Sequence, residues 1–255
     1  MIYLNGSPIN VTIFPDKTSQ VWKLPEEILK TTNYARVTWD YESEAEFMHL
    51  AQLKYLLDVH GFKTDLKISY LPYARQDKLP SNNSTFALYP FSNLLNSLKF
   101  DNITIIDPHS KIATEIINNS NATYPIKQLQ EALLNTWSNN ICYPDKGALD
   151  KYSTTAYKET VGNDYFYGEK VRNQDNGDII SYKLIGEFKN KNKNVMIVDD
   201  ICDGGATFIL LTKELYKAGA KEVNLFVTHG LFTKGIQVLK DAGINRIFTK
   251  DGECT

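Results

Sequence analysis

Two adjacent carboxylates, Asp199 and Asp200, follow directly on the apolar run Val195–Val198 and precede a small-residue stretch, Asp203-Gly204-Gly205-Ala206-Thr207. The apolar run predicts a buried strand and the glycines predict a turn. Phe208–Ala218 then predicts a helix that stops at Gly219. In open α/β sheets ligands bind beyond the carboxyl ends of strands. Successive N–H groups of Asp203–Thr207, with the start of the next helix, make an anion cradle. Ionised carboxylates only accept hydrogen bonds. Asp199 and Asp200 therefore suit the vicinal hydroxyls of a ribose, or a magnesium shell, and would repel a phosphate. The segment reads as one end for sugar hydroxyls and one for phosphate. The plainer alternative is a strand–turn–helix junction with capping aspartates. Two acids between a short apolar strand and a glycine pair argue against it.

Other polar residues stand at the same kind of position. His109 follows the run Ile103–Ile106, and its neutral imidazole suits a metal or a phosphate oxygen. Arg75 and Gln76 follow Leu66–Leu71. A guanidinium fork matches phosphate geometry, and Gln bonds an adenine edge or a ribose. Asp145 follows Ile141–Tyr143 and suits Mg²⁺, directly or through water, or else forms a turn beside Gly147. Lys170 and Arg172 flank a charged, Asn-rich stretch, Arg172–Asp178, which reads as a mobile loop. Positive side chains on such a loop stabilise charge built up in phosphoryl transfer and let a site open and close. His49, His60 and His229 receive no catalytic role.

The elements that must position these residues alternate. Short apolar runs at Arg36–Trp39, Leu66–Leu71, Ile103–Ile106, Val195–Val198 and Val223–Val227 predict strands. Helices are predicted after a Ser43/Glu46 capping box, over Thr85–Phe100 with Pro90 either in its first turn or kinking it, over Ile126–Trp137, and over Lys234–Ala242 ending at Gly243. This β-α-β-α order predicts parallel sheets covered by helices. The 255 residues allow two compact α/β halves, read as 1–138 and 139–255, with the polar stretch Ser138–Cys142 at the boundary. A net charge of −2 offers no global attraction to nucleic acid or an anionic membrane. No apolar run approaches the ~20 residues that span a bilayer. The N-terminus lacks the pattern of a signal peptide. Cys142, Cys202 and Cys254 are far apart and form no CxxC, which suggests a reducing cytoplasm without a disulfide framework.

The segment Val198–Thr207 resembles the phosphoribosyl-pyrophosphate-binding motif shared by type I phosphoribosyltransferases and ribose-phosphate pyrophosphokinases. Further segments resemble the pyrophosphokinases alone. Tyr73-Ala74-Arg75-Gln76-Asp77-Lys78 is similar to their YARQD(R/K) motif and Asp107-Pro108-His109-Ser110 to DLHA. Tyr143–Ala148 resembles SPDxGG, Lys170-Val171-Arg172 the KxR of the catalytic loop, and Thr228-His229-Gly230-Leu231 a C-terminal THG(L/V). The motifs keep the family's order and cover most of the chain from about Trp39 onward.

The resemblance implies two doubly wound parallel-sheet halves of the type I phosphoribosyltransferase-like kind. The activity it implies is transfer of the β,γ-diphosphate of Mg-ATP to the anomeric 1-hydroxyl of ribose 5-phosphate, giving PRPP and AMP. ATP contacts fall to Arg75, Gln76, Asp77 and His109, and Mg²⁺ to His109 and Asp145. Catalysis falls to Lys170, Arg172 and His109. The acceptor falls to Asp199, Asp200, Asp203, Gly204, Gly205, Ala206 and Thr207. Partners implied are small-molecule substrates and further copies of the chain, as a dimer or hexamer. For adenine recognition Trp22 and Glu26 are the nearest counterparts, with Leu24 where a polar residue is expected. The chain departs from the family's D-(T/S)-(G/A)-G-T loop, because Gly204 removes a hydroxyl donor and Ala206 replaces a glycine. That departure brings in a second acceptor, a larger 5′-phosphorylated ribose such as ADP-ribose, as in some phage-type relatives. A phosphoribosyltransferase and a non-catalytic regulatory relative are the remaining alternatives. YARQDK and KxR argue against the first, and the retained Lys170, Arg172, His109 and Asp199–Asp200 against the second.

Overall fold

The computed structural model describes residues 1–31, 33–79, 81–153, 165–172, 179–188 and 192–255. Most of the predicted loop Arg172–Asp178, and part of the turn Lys189–Asn194, lie outside the described residues. The chain forms two compact units, Met1–Tyr124 and Pro125–Thr255.

The first unit is built on a six-stranded sheet in the order β2-β1-β5-β6-β7-β8. Its strands are β1 (Ile2–Leu4), β2 (Ser7–Pro8), β5 (Tyr34–Trp39), β6 (Lys63–Ile68), β7 (Asn102–Ile106) and β8 (Ser120–Thr123). A separate hairpin joins β3 (Thr12–Ile13) to β4 (Ser19–Gln20). β5 through β8 run parallel, β1 adds antiparallel to β5, and β2 adds antiparallel to β1 at the edge. Alternate residues of β5 and β6 are buried, with Ala35, Val37, Trp39, Leu66 and Ile68 in the core, as a period of two requires. Helix Ala45–Val59 covers this core with Leu50, Leu53 and Leu57.

The capping box predicted from Ser43 and Glu46 does not form. Glu44 occupies the cap position without a side-chain bond. The Glu46 carboxylate is buried instead, accepting from Trp39 Nε1 at 3.1 Å and the Glu42 N–H at 2.9 Å and pairing with the N-terminal ammonium at 2.5 Å. An ion pair with a fixed cation and an indole N–H outcompetes one helix-end amide.

The second unit holds a seven-stranded sheet, β11-β10-β9-β12-β13-β14-β15. These are β9 (Asn140–Tyr143), β10 (Tyr165–Arg172), β11 (Ile179–Ile185), β12 (Asn194–Cys202), β13 (Glu222–Gly230), β14 (Ile244–Thr249) and β15 (Gly252–Cys254). β10, β9, β12, β13 and β14 are parallel, and β11 and β15 add antiparallel edges. β9, β12 and β13 are buried nearly throughout, as central parallel strands with both faces covered must be.

The boundary read after residue 138 falls inside this second unit. Helix Ile126–Thr136 packs on β13 and β14. The polar stretch after it, read as linker, is interior. Ser138 and Asn140 are buried. Asn224 Nδ2 donates to Ser138 Oγ (3.3 Å), Asn194 Nδ2 to the Thr136 carbonyl (3.1 Å) and Asn140 Nδ2 to the Asn194 carbonyl (3.3 Å). Buried amides with partners are compatible with a core; polarity alone does not mark a loop.

Candidate active site

In the second unit the chain leaves β9 toward β10 on one side, and then places β12 on the other. The strand order therefore reverses between β9 and β12, and ligands in α/β sheets bind beyond the carboxyl ends of strands at such a point. Asp145 follows β9, and Asp199 and Asp200 lie near the carboxyl end of β12.

The two acids lie within β12, which runs on to Cys202 rather than ending at Val198. Asp199 Oδ1 accepts the Asp200 backbone N–H at 2.9 Å. Burial, then the neighbouring charge of Asp200, pushes the Asp199 carboxyl well above the usual carboxylate range, while Lys151 draws it down. Lys151, missed in the sequence reading, sits on helix Lys146–Tyr152, with Nζ 3.6 Å from Asp200 Oδ2 and 4.9 Å from the centre of the Tyr152 ring. A helix-borne lysine six residues after Asp145 was the available signal.

The turn after β12 is shorter than predicted, because helix Ala206–Lys217 already begins at Ala206. Gly205, at φ +79°, is the residue that turns the chain. A Cβ there would lie 2.6 Å from Cδ2 of the buried Leu239. The backbone freedom is thus needed at 205 and not at Ala206, which takes an ordinary helical place. The first helical bond runs from the Ile209 N–H to the Gly205 carbonyl, so the N–H groups of Ala206, Thr207 and Phe208 precede the helical ladder, as an anion cradle requires. Gly204 has no such constraint. A Cβ there would touch only the Lys234 side chain, at 3.4–3.7 Å. Asp203 ties the loop to the segment after β13, accepting from Thr233 Oγ1 at 2.6 Å, while the Leu231 and Phe232 N–H groups donate to the Cys202 carbonyl.

Lys170 lies inside β10, not on the loop itself, and its Nζ donates to Asp145 Oδ2 at 2.7 Å. Burial pulls the Lys170 ammonium down, but the bond to Asp145 and the charges of Asp145, Tyr182 and Asp199 leave it raised. Burial likewise pushes Asp145 up. The bond and charge of Lys170 and the Ala148 and Gly147 amides more than reverse this, leaving the carboxyl lowered. Asp145 also caps its helix, accepting the Ala148 N–H at 3.0 Å, which is the turn-forming role weighed for it above. Arg172 ends β10 beyond a register shift, opposite Ile179.

The sequence-read ATP residues belong to the first unit. Arg75, Gln76 and Asp77 follow β6, and His109 follows β7, so both groups leave the carboxyl edge of adjacent parallel strands. Arg75, Gln76 and His109 are exposed and Asp77 is buried. Asp107, at φ +42° and buried, shapes the turn that presents His109. Trp22 and Glu26 have other partners. Trp22 donates to Thr12 Oγ1 at 3.0 Å and packs edge-on against Phe14, and Glu26 pairs with Lys30 at 3.6 Å. Leu24, where a polar residue was expected, is a core residue.

Among the described residues no cluster of three or more His, Cys, Asp or Glu forms a metal cage. Asp145 offers one hard oxygen ligand, its Oδ2, which bonds Lys170 Nζ in this structure. That fits a Mg²⁺ held chiefly by substrate phosphates and water.

The description "Phosphoribosyl transferase domain" matches residues 101–251. A ribose-phosphate pyrophosphokinase of Pyrococcus furiosus is 30% identical over 232 residues, covering 89% of this chain and 79% of that protein. One from Sulfurisphaera tokodaii is 27% identical over 241 residues, covering 93% and 81%. The fold is similar to the crystal structure of phosphoribosylpyrophosphate synthetase from Mycobacterium smegmatis, with TM-score 0.75 at 18% identity, covering 95% of this chain and 79% of that one.

Proposed function

Because the chain belongs to the phosphoribosyl transferase domain family, and within it to the ribose-phosphate pyrophosphokinases, we propose that it transfers the β,γ-diphosphate of Mg-ATP to the anomeric hydroxyl of ribose 5-phosphate. The observation that carries this reading is the grouping at the β9/β12 reversal. There a carboxylate pair lies near the carboxyl end of β12 ahead of a helix start, and a lysine rests on the carboxylate that follows β9.

Asp199 and Asp200 hold the ribose hydroxyls, which fixes the sugar. The cradle from Gly204 to Thr207 takes the 5-phosphate through backbone N–H groups and the Thr207 hydroxyl. Lys170, with Arg172, carries positive charge to the diphosphate in transit, where preorganised charge acts without covalent chemistry. Arg75, Gln76, Asp77 and His109 bind ATP. Asp145 and His109, each within its own unit, would hold Mg²⁺, which would supply neutralisation of phosphate charge. In balance, the 1-hydroxyl oxygen bonds to the β-phosphorus, the bond from that phosphorus to the α-phosphate's bridging oxygen breaks, AMP leaves and the hydroxyl proton is released.

A second acceptor is favoured by one specific feature. The open side of Gly204 faces the exposed Lys234, a cation placed to meet a further phosphate. ADP-ribose, with two phosphates on its 5′ oxygen, fits that arrangement. The deciding experiment incubates the protein with Mg-ATP and either ribose 5-phosphate or ADP-ribose, scoring AMP release and product mass. Turnover of ribose 5-phosphate with at least ~10-fold higher kcat/KM, over 1.4 kcal/mol in transition-state terms, supports the first acceptor. The reverse ratio supports the second. AMP release with neither overturns the pyrophosphokinase reading.

A further inference from the structure

β11 lies antiparallel on β10 with Tyr182 directly opposite Lys170, so both side chains leave the sheet on one face. Gly168, two residues before Lys170, shares that face. A Cβ at Gly168 would lie 2.8 Å from Tyr182 Cδ1, 3.0 Å from Leu211 Cδ1 and 3.1 Å from the Pro144 carbonyl oxygen. The tyrosine ring therefore occupies a slot that exists because residue 168 has no side chain. Tyr182 is 4% exposed. Its hydroxyl oxygen is buried without a well-formed hydrogen bond among the described residues.

A phenylalanine would fill this slot equally well, and a buried hydroxyl with no partner is unfavourable. The groups that act on the hydroxyl locate it. Burial raises its pKa most; a loose hydrogen bond with the Thr207 side chain and the charge of Lys170 lower it, and the charges of Asp145 and Asp199 raise it. Thr207 lies in the first turn of helix Ala206–Lys217, so the hydroxyl end of the ring points at the head of the anion cradle.

We propose that Tyr182 is a ligand of the acceptor, its hydroxyl donating a hydrogen bond to an oxygen of the phosphate seated at Gly204–Thr207. This rests on the reading of Asp199–Thr207 as the acceptor site. The hydroxyl, near Thr207 but without a well-formed hydrogen bond, then gains a charged partner when substrate is present.

Tyr182→Phe removes one oxygen and leaves the slot filled. Calorimetric titration of ribose 5-phosphate and of ADP-ribose into wild-type protein and the variant tests the assignment, with thermal melting and the KM for Mg-ATP as companion measurements. The expected result is a loss of about 10- to 100-fold in affinity for the preferred acceptor, the size of one hydrogen bond to a charged group. The KM for Mg-ATP should change less than ~2-fold, and the Tm should hold or rise. Unchanged acceptor affinity overturns the assignment, and so does a lowered Tm with both substrates weakened alike, which marks a structural role. Wild-type protein that binds neither acceptor overturns the acceptor-site reading itself, and this proposal with it.

Discussion

Asp199 stands beside Asp200 at the end of a buried strand, and burial with Asp200's charge pushes its carboxyl well above the ordinary range. A carboxyl whose pKa is raised on folding takes up a proton in the folded state. Its contribution favours the fold at low pH and is lost as pH rises from about 4 through the raised value. At neutral pH the raised carboxyl therefore works against the fold, while its proposed role as a hydroxyl acceptor requires the charge. We expect Asp199→Asn to melt higher than wild type at pH 7, by ~2–4 °C for each kcal/mol relieved. The difference should shrink toward pH 4, and acceptor turnover should fall. Thermal scans from pH 4 to pH 8 check this. A lower melting temperature, or a gain that does not vary with pH, would show that the ionised carboxylate is accommodated without strain. Lys151 limits the penalty, since its ammonium lies 3.6 Å from Asp200.

The turn between β12 and helix Ala206–Lys217 concentrates its backbone demand at one glycine. Gly205 needs both a positive φ and the absence of a Cβ, whereas Gly204 needs neither. Gly205→Ala should destabilise by roughly 1–3 kcal/mol from the left-handed conformation alone, with more from the clash against Leu239. Gly204→Ala should stay within ~0.5 kcal/mol of wild type. Urea unfolding of the two variants makes the comparison, and equal effects would move the turn away from Gly205. The same reasoning explains why replacement of a family glycine by Ala206 is tolerated: it opens a helix, where a left-handed residue is not required.

The chain is a diphosphotransferase of the pyrophosphokinase family built from two units, each with its own mixed sheet and its own apolar core. Separate cores predict separate folding competence. Residues 125–255 expressed alone should give a cooperative urea transition by circular dichroism. A featureless transition would mean that the core around Val195, Ile197, Leu211 and Val227 cannot form by itself. No helix among the described residues is long and apolar enough to cross a membrane.

What the sequence determined by itself is what local pattern encodes. Continuous apolar runs marked the central parallel strands β12 and β13, because strands covered on both faces show no alternation. Gly219 and Gly243 marked helix ends, and both adopt the positive φ such ends use, at +92° and +97°. Asp145 and His109 were legible as candidates because they follow strands, and Asp199 and Asp200 because they lie near the carboxyl end of one, and the carboxyl edge of a parallel sheet is where such residues gather. The tertiary structure decided the partnerships. Glu46 abandons its predicted cap for Trp39 and the chain's own N-terminus, which lie elsewhere in the sequence. Ser138 and Asn140 read as linker but bond Asn224 and Asn194 in the interior. Lys151, Lys170 and Tyr182 reach Asp200, Asp145 and the face of β10 from three different elements, brought together by strand order and register. A period or a cap is a property of neighbouring residues. Which charge or hydroxyl meets which depends on how sheets are ordered, and no local pattern carries that.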